Sequence, residues 1–230
     1  MKQTIQLVLI CLAFLSACQS APAIPTEPVT IDTQPDALPV AAPTIARTTL
    51  NNQSVTVSIP PGWNALATDN AILYTEMHHS FAAVGHLEGI SVSIFAPSSD
   101  ELARHGELVM QASNPAHTLL SLVVNEGHHV ASGHATVPTA FQWQGHEAAY
   151  YTASSGAGVI TVLLAVSISQ DTLLVMNVSA PATERQRVRQ QLPAILSSIT
   201  IEEHTLKGEH LNALPAVLRF PAEDLNVAGN

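Results

Sequence analysis

The sequence predicts an α+β fold, an antiparallel sheet flanked by helices. Three observations carry it. Val55, Val57 and Ile59 alternate with Thr56 and Ser58, and Ile90, Val92 and Ile94 alternate with serines, which is the two-residue period of half-buried strands. Residues 159–168 and 173–180 are long apolar runs parted by Gln170-Asp171, the pattern of a hairpin with a polar tip. Ser98-Ser99-Asp100-Glu101 and Thr183-Glu184-Arg185-Gln186 each have the form of a capping box, in which a hydroxyl and a side chain three residues on satisfy orphan backbone donors at a helix start.

Residues 1–17 read as a secretory leader. Lys2 is its positive end, and residues 5–14 are an apolar stretch shorter than the ~20 residues a membrane-spanning helix needs. Leu15-Ser16-Ala17-Cys18 follows and resembles the bacterial lipobox: an apolar residue, two small residues and a cysteine. The resemblance implies that Cys18 is acylated on its sulfur and becomes the mature N-terminus. The alternative is a plainly cleaved leader with Cys18 incidental. Cys11 lies in the leader, so Cys18 is the one mature thiol and no disulfide can close within the mature chain.

Residues 18–46 form a proline-rich linker after that cysteine. Pro22, Pro25, Pro28, Pro35, Pro39 and Pro43 fall in it, with three acids and neither Lys nor Arg between Gln19 and Ala46. Such a tract cannot bury a core and stiffens toward polyproline II, reaching up to about 85 Å when extended.

The folded domain is expected over residues 47–203. After the strand at 55–59, Pro60-Pro61-Gly62 makes a stop and Trp63 follows it. Residues 71–75 and 90–94 are further strands. The helix opened at Ser98 should run to Ser113 with Val109 on its inner face. Residues 114–137 read less plainly: Pro115 precedes an apolar stretch at 119–124, and a strand is expected within 130–137. Gln142-Trp143-Gln144-Gly145 reads as a hairpin turn and residues 147–152 as a strand. The helix opened at Thr183 places Val188, Leu192, Ile195, Leu196 and Ile199 on one stripe, with Pro193 expected to kink it. Residues 199–202 end as a strand. Residues 204–230 are a tail with Leu211, Leu214, Val217, Leu218 and Phe220 as apolar points, either packed on the domain or projecting from it.

Composition excludes some partners. Only 11% of residues are charged, against roughly 25% in ordinary soluble proteins. The net charge is −10, and Lys2 and Lys207 are the only lysines. Nucleic acid is excluded, because binding it needs a basic face, and so is a polybasic grip on anionic lipid. Attachment to a membrane is expected through the lipid on Cys18 alone.

In this order and spacing the chain resembles the PsbP-like family of α/β/α sandwiches, which includes extrinsic photosystem subunits and many bacterial lipoproteins. The carrying residues are Ser54-Val55-Thr56-Val57-Ser58-Ile59-Pro60 with Gly62-Trp63, Ser99-Asp100-Glu101-Leu102, Gly145-His146-Glu147-Ala148-Ala149-Tyr150, the hairpin at 159–180, and Leu196-Ser197-Ser198-Ile199. The match covers about residues 48–203. It implies an α/β/α sandwich and a non-enzymatic binding or assembly role toward an envelope protein or small ligand. It carries over no catalytic residue.

The residues themselves leave other readings open. Eleven histidines stand against eight Lys+Arg. His78, His79 and His86 lie between two predicted strands, and His128, His129 and His134 lie in Gly-His-His-Val-Ala-Ser-Gly-His. Neutral imidazoles are common ligands of Zn²⁺ and Cu²⁺, so these loops are candidates for a metal-binding envelope protein. Surface histidines are the plainer reading, since adjacent side chains on a strand point to opposite faces. His146-Glu147-Ala148-Ala149-Tyr150 misses the zinc-protease motif at its last position and reads as strand. There is no Gly-x-Ser-x-Gly elbow and no phosphate loop, so a hydrolase would need an unrecognised site. Arg185, Arg187 and Arg189 read as a solvated helix face or an anion contact. Trp63 and Trp143 are either edge packing of the core or the lining of a ligand groove. No cofactor is expected otherwise.

Overall fold

Two strands buried on both faces form the middle of the molecule. The structure is a computed structural model and describes residues 43–50, 53–76, 87–97, 106–125, 134–143, 145–169, 172–201, 204–205 and 218–221. In chain order it contains β1 (Thr44–Leu50), β2 (Gln53–Ile59), β3 (Asn64–Ala67), β4 (Ala71–Thr75), β5 (Ser91–Phe95), α1 (Gly106–Met110) and α2 (Pro115–Asn125). There follow β6 (His134–Ala135), β7 (Thr139–Trp143), β8 (His146–Ser154), β9 (Val159–Ser169), β10 (Thr172–Pro181), α3 (Arg185–Ser197), β11 (Ile199–Ile201) and β12 (His204–Thr205). The fold is α+β, as the alternation predicts. The main sheet has eight strands in the order β3-β4-β5-β10-β9-β8-β6, with β7 also paired to β8, and a second sheet has the order β1-β2-β11-β12.

The predicted hairpin is β9–β10, paired from Val159↔Pro181 up to a register shift beside Thr172. Its alternation sorts two cores. Ile160, Val162, Leu164, Leu174, Met176 and Val178 face one, with Val55, Val57 and Ile59 of β2 and Val188, Leu192, Ile195 and Leu196 of α3. Ala165, Leu173 and Val175 face the other, where Ala149, Tyr151 and Ala153 of β8 meet Val109, Ala116 and Leu120 of the α1–α2 layer. On that second face Ala149, Ala153 and Ala165 leave room for α2. Flanking layers therefore differ: helices cover one face, while α3 and the second sheet cover the other.

Several elements depart from expectation. β1 begins at Thr44, inside the stretch read as linker, and seals the second sheet with Ala46 and Leu50. Asn114-Pro115 starts a helix: the Asn114 side-chain oxygen accepts from the His117 N–H at 2.8 Å, and Pro115 takes the first helical position, where its missing donor costs nothing. The Thr183 capping box does not form; a 3₁₀ turn at Ala182–Glu184 leads in, Glu184 is the N-cap, and no side chain caps the helix. α3 runs through Pro193 with Val188, Leu192, Ile195 and Leu196 of the predicted stripe buried, while Ile199 begins β11. The strand expected within 130–137 spans His134–Ala135 among the described residues. The helix start at Ser98 lies outside them, and α1 continues toward its expected end with Val109 buried.

Beyond residue 203, Leu218 and Phe220 are buried in the larger core. The Arg189 guanidinium donates to the Leu218 carbonyl at 3.1 Å and lies 5.2 Å from the centre of the Phe220 ring, and the Thr152 hydroxyl donates to the Arg219 carbonyl. This short piece of tail is thus part of the core. Phe220→Ala should lower the unfolding free energy by about 3 kcal/mol in urea denaturation. A change below about 0.5 kcal/mol would mean that the strap contributes no packing.

Candidate functional site

A shallow groove of about 340 Å³ opens where β2, the turn after it, β4 and α3 meet. Ser58, Pro60, Trp63, Tyr74, Gln191, Ala194, Ile195 and Ser198 line it, and none carries a charge. Local sequence explains each wall. Pro60-Pro61-Gly62-Trp63 is a tight turn: the Trp63 N–H donates to the Pro60 carbonyl at 3.2 Å, and Gly62 has φ +81°, the left-handed position that a type II turn reserves for glycine. That turn ends β2 and swings Trp63 over Tyr74, with ring centres 5.8 Å apart and planes tilted by 45°. On the opposite wall the Ser58 N–H donates to the Ser198 carbonyl at 3.0 Å, tying β2 to the end of α3. Arg187 fastens the same helix by pairing with Glu76, just past β4, and with Glu184 at 3.2 Å.

Tyr74 is the unusual lining residue. It is fully buried, yet its hydroxyl has no hydrogen-bond partner. Burial pushes its phenol far above the ordinary value; the Ser198 hydroxyl is near enough to moderate this without meeting hydrogen-bond geometry. The Ser198 hydroxyl donates instead to the Ile195 carbonyl at 2.7 Å. A buried donor left unpaired costs about 1–3 kcal/mol. The hydroxyl is sealed behind the groove wall, whose lining is uncharged and mostly apolar.

The sequence candidates separate in space. Trp63 is half-buried and lines the groove. Trp143 is 1% exposed and belongs to the larger core, stacked 6.5 Å from Phe141, so it does not line the groove. His134 is exposed on β6, opposite Ser154. His78, His79, His86, His128 and His129 lie outside the described residues, as does Cys18. Among the described residues no three His, Cys, Asp or Glu side chains are grouped to hold a metal ion. His146-Glu147 lies on strand β8, and Glu147 accepts from Gln142 at 2.6 Å and from Asn114 at 3.0 Å. Arg187 and Arg189 are spent on Glu76, Glu184, Leu218 and Phe220, which makes these two arginines fastenings. Among the described residues no helix is long and apolar enough to cross a membrane. Tyr74 escapes a reading of the sequence because it occupies a core position of an alternating strand.

Fold and groove together define an α+β domain with an uncharged aromatic cleft. No protein-family model matches the chain, and no curated protein does. Among solved structures it is similar to the Ran-binding protein Mog1p of Saccharomyces cerevisiae, at 12% identity over 75% of this chain and 99% of that one, TM-score 0.41. It is similar to the cyanobacterial PsbP, CyanoP, of Synechocystis, at 12% identity over 72% and 97% of the two chains, TM-score 0.42. It is also similar to LpqN of Mycobacterium tuberculosis, involved in cell envelope biogenesis, at 13% identity over 69% and 91%, TM-score 0.41.

Tyr74 and Tyr151 share a consequence. Burial raises both phenols above the ordinary value of 10.0. In the unfolded chain they ionise near that value, while the folded chain keeps them neutral. The stability they contribute is therefore complete below pH 10 and is lost as pH climbs from there toward their folded values. Urea denaturation should give a level stability up to about pH 9.5, then a fall of about 1.4 kcal/mol per pH unit for each buried tyrosine. Tyr74→Phe should remove its share of the slope; an unchanged slope would show the phenol to be solvated.

Proposed function

We propose that the chain is a lipid-anchored, extracytoplasmic binding module that takes an uncharged ligand or a segment of an envelope protein in the Trp63–Tyr74 groove. The observation that carries the anchoring is Leu15-Ser16-Ala17-Cys18 placed directly after a short apolar leader. Small residues before the cysteine let an extended backbone enter a peptidase, and the thiol is the nucleophile that takes the diacylglycerol. Two or more acyl chains hold stably where one does not, because each buried CH₂ contributes about 0.8 kcal/mol. The proline-rich tract then spaces the domain from the lipid, and β1 begins at Thr44, directly after the last of its prolines. Support for binding without chemistry comes from the groove itself: its lining offers aromatic faces, hydroxyls and one amide, which recognise shape and carbonyl oxygens.

The test is metabolic labelling with an alkyne fatty acid followed by fractionation. The unmodified chain should carry label and sediment with membranes, and Cys18→Ala should lose both. Label retained on Cys18→Ala would defeat the anchoring.

A further inference from the structure

We propose that Arg185, Arg189 and Arg219 form a binding site for one phosphate group, on the flank of α3 away from Arg187. The chain has a net charge of −10 and few cations, so three of them drawn to one place call for a physical reason. Helical spacing sorts the arginines of α3. Val188, Leu192, Ile195 and Leu196 are its buried stripe. Arg185 and Arg189 are one turn apart and border that stripe on one side. Arg187 borders the other side and is drawn to Glu76 and Glu184. The strap at 218–221 lies along the first side, where the Arg189 Nε donates to the Leu218 carbonyl at 3.1 Å. The guanidinium of Arg219, an exposed residue, donates to the same oxygen at 3.4 Å. Two positive groups therefore meet on one carbonyl, and a third stands one helical turn away.

Arg185 is what makes the cluster a site. It is half-buried, its Nε is shut off from solvent, and that donor has no acceptor. The other described arginines each have a partner: Thr56 for Arg47, Glu76 and Glu184 for Arg187, and the Leu218 carbonyl for Arg189 and Arg219. A guanidinium withdrawn from water without an acceptor is costly, more so beside other cations, and an anion from outside removes both penalties. Glu184, its neighbour in sequence, is turned to Arg187. Arg185 also opens α3, and no side chain caps that end, so the positive pole of the helix dipole adds to the field. The number of cations selects the ligand. Each guanidinium is a planar fork for two oxygens; three of them exceed what one carboxylate accepts and match a phosphate, with its several acceptor oxygens and double charge. A soluble phosphate compound and a lipid headgroup share this chemistry. The site is distinct from the Trp63–Tyr74 groove, which meets α3 at Gln191, Ala194, Ile195 and Ser198.

Thermal unfolding of the full mature chain in uncharged detergent tests the site. Inorganic phosphate is the probe, and sodium chloride at matched ionic strength is the control. Phosphate should raise the midpoint in a saturable way that chloride does not reproduce. Arg185→Gln should weaken the apparent phosphate affinity about tenfold, and Arg185→Lys, which keeps the charge and loses the fork, about threefold. Arg47→Gln, on the second sheet, should leave the affinity unchanged. Micelles doped with phosphatidylglycerol separate the two sources. A midpoint raised by inorganic phosphate alone marks a soluble ligand. One raised further by the lipid, and not in Arg185→Gln, marks a headgroup; either result supports the site. No saturable effect of either probe, or an equal affinity in Arg185→Gln and the unsubstituted chain, would overturn the proposal.

Discussion

Burial of the β9–β10 hairpin on both faces is the constraint on which the rest of the domain depends. A strand with one buried face tolerates polar residues on the other. Here both sides are occupied: Ile160, Val162 and Leu164 point into one core, and Ala165, Leu173 and Val175 into the other. A slip of one residue would exchange the two sets and carry Thr161 and Ser167 of β9 into the larger core. Register is therefore pinned, and with it the order of every strand on either side. β5 joins β10 by pairing Ser91 through Phe95 with Ser179 through Val175, and β8 joins β9 from Ala148↔Val166 to Ser154↔Ile160.

The groove inherits its rigidity from this arrangement. Its walls come from parts of the chain far apart in sequence, brought together because β2 and α3 cover the same core face. Three contacts then hold the gap: the Ser58–Ser198 backbone bond, the Arg187–Glu76 pair, and the turn that presents Trp63. Arg187 and Glu76 are each about a third exposed or less, so their pairing matters more for orientation than for net stability. The uncharged residues on these walls give the groove its chemical character.

Much of this architecture is legible in the sequence, for physical reasons that also explain the gaps. β2, β5, β9 and β10 announce themselves because each has at least one wholly apolar face. The α3 stripe is plain because its outer face is polar. β1 is hidden: only Ala46 and Leu50 are buried while Ile45 is exposed, so no two-residue period shows. β3 is an edge strand with Leu66 half in solvent. α2 is obscured because Leu119, Leu122, Val123 and Val124 are all partly buried, which blurs the helical period, although Asn114-Pro115 carries the start signal. Of the groove, Trp63 is visible from its turn. Tyr74, Gln191 and Ser198 are not, since their meeting is purely tertiary. Trp143 shows the converse: a turn-flanking tryptophan whose ring is absorbed by the core.

The proposed attachment of this acidic, lysine-poor chain is through a lipid on Cys18, without a polybasic patch. Mass spectrometry of the N-terminal peptide of protein taken from its native membranes tests this most directly. The account predicts a peptide that begins at Cys18 with a diacylglyceryl group on its sulfur. A peptide that begins at another residue, or one with a free Cys18 thiol, would contradict it.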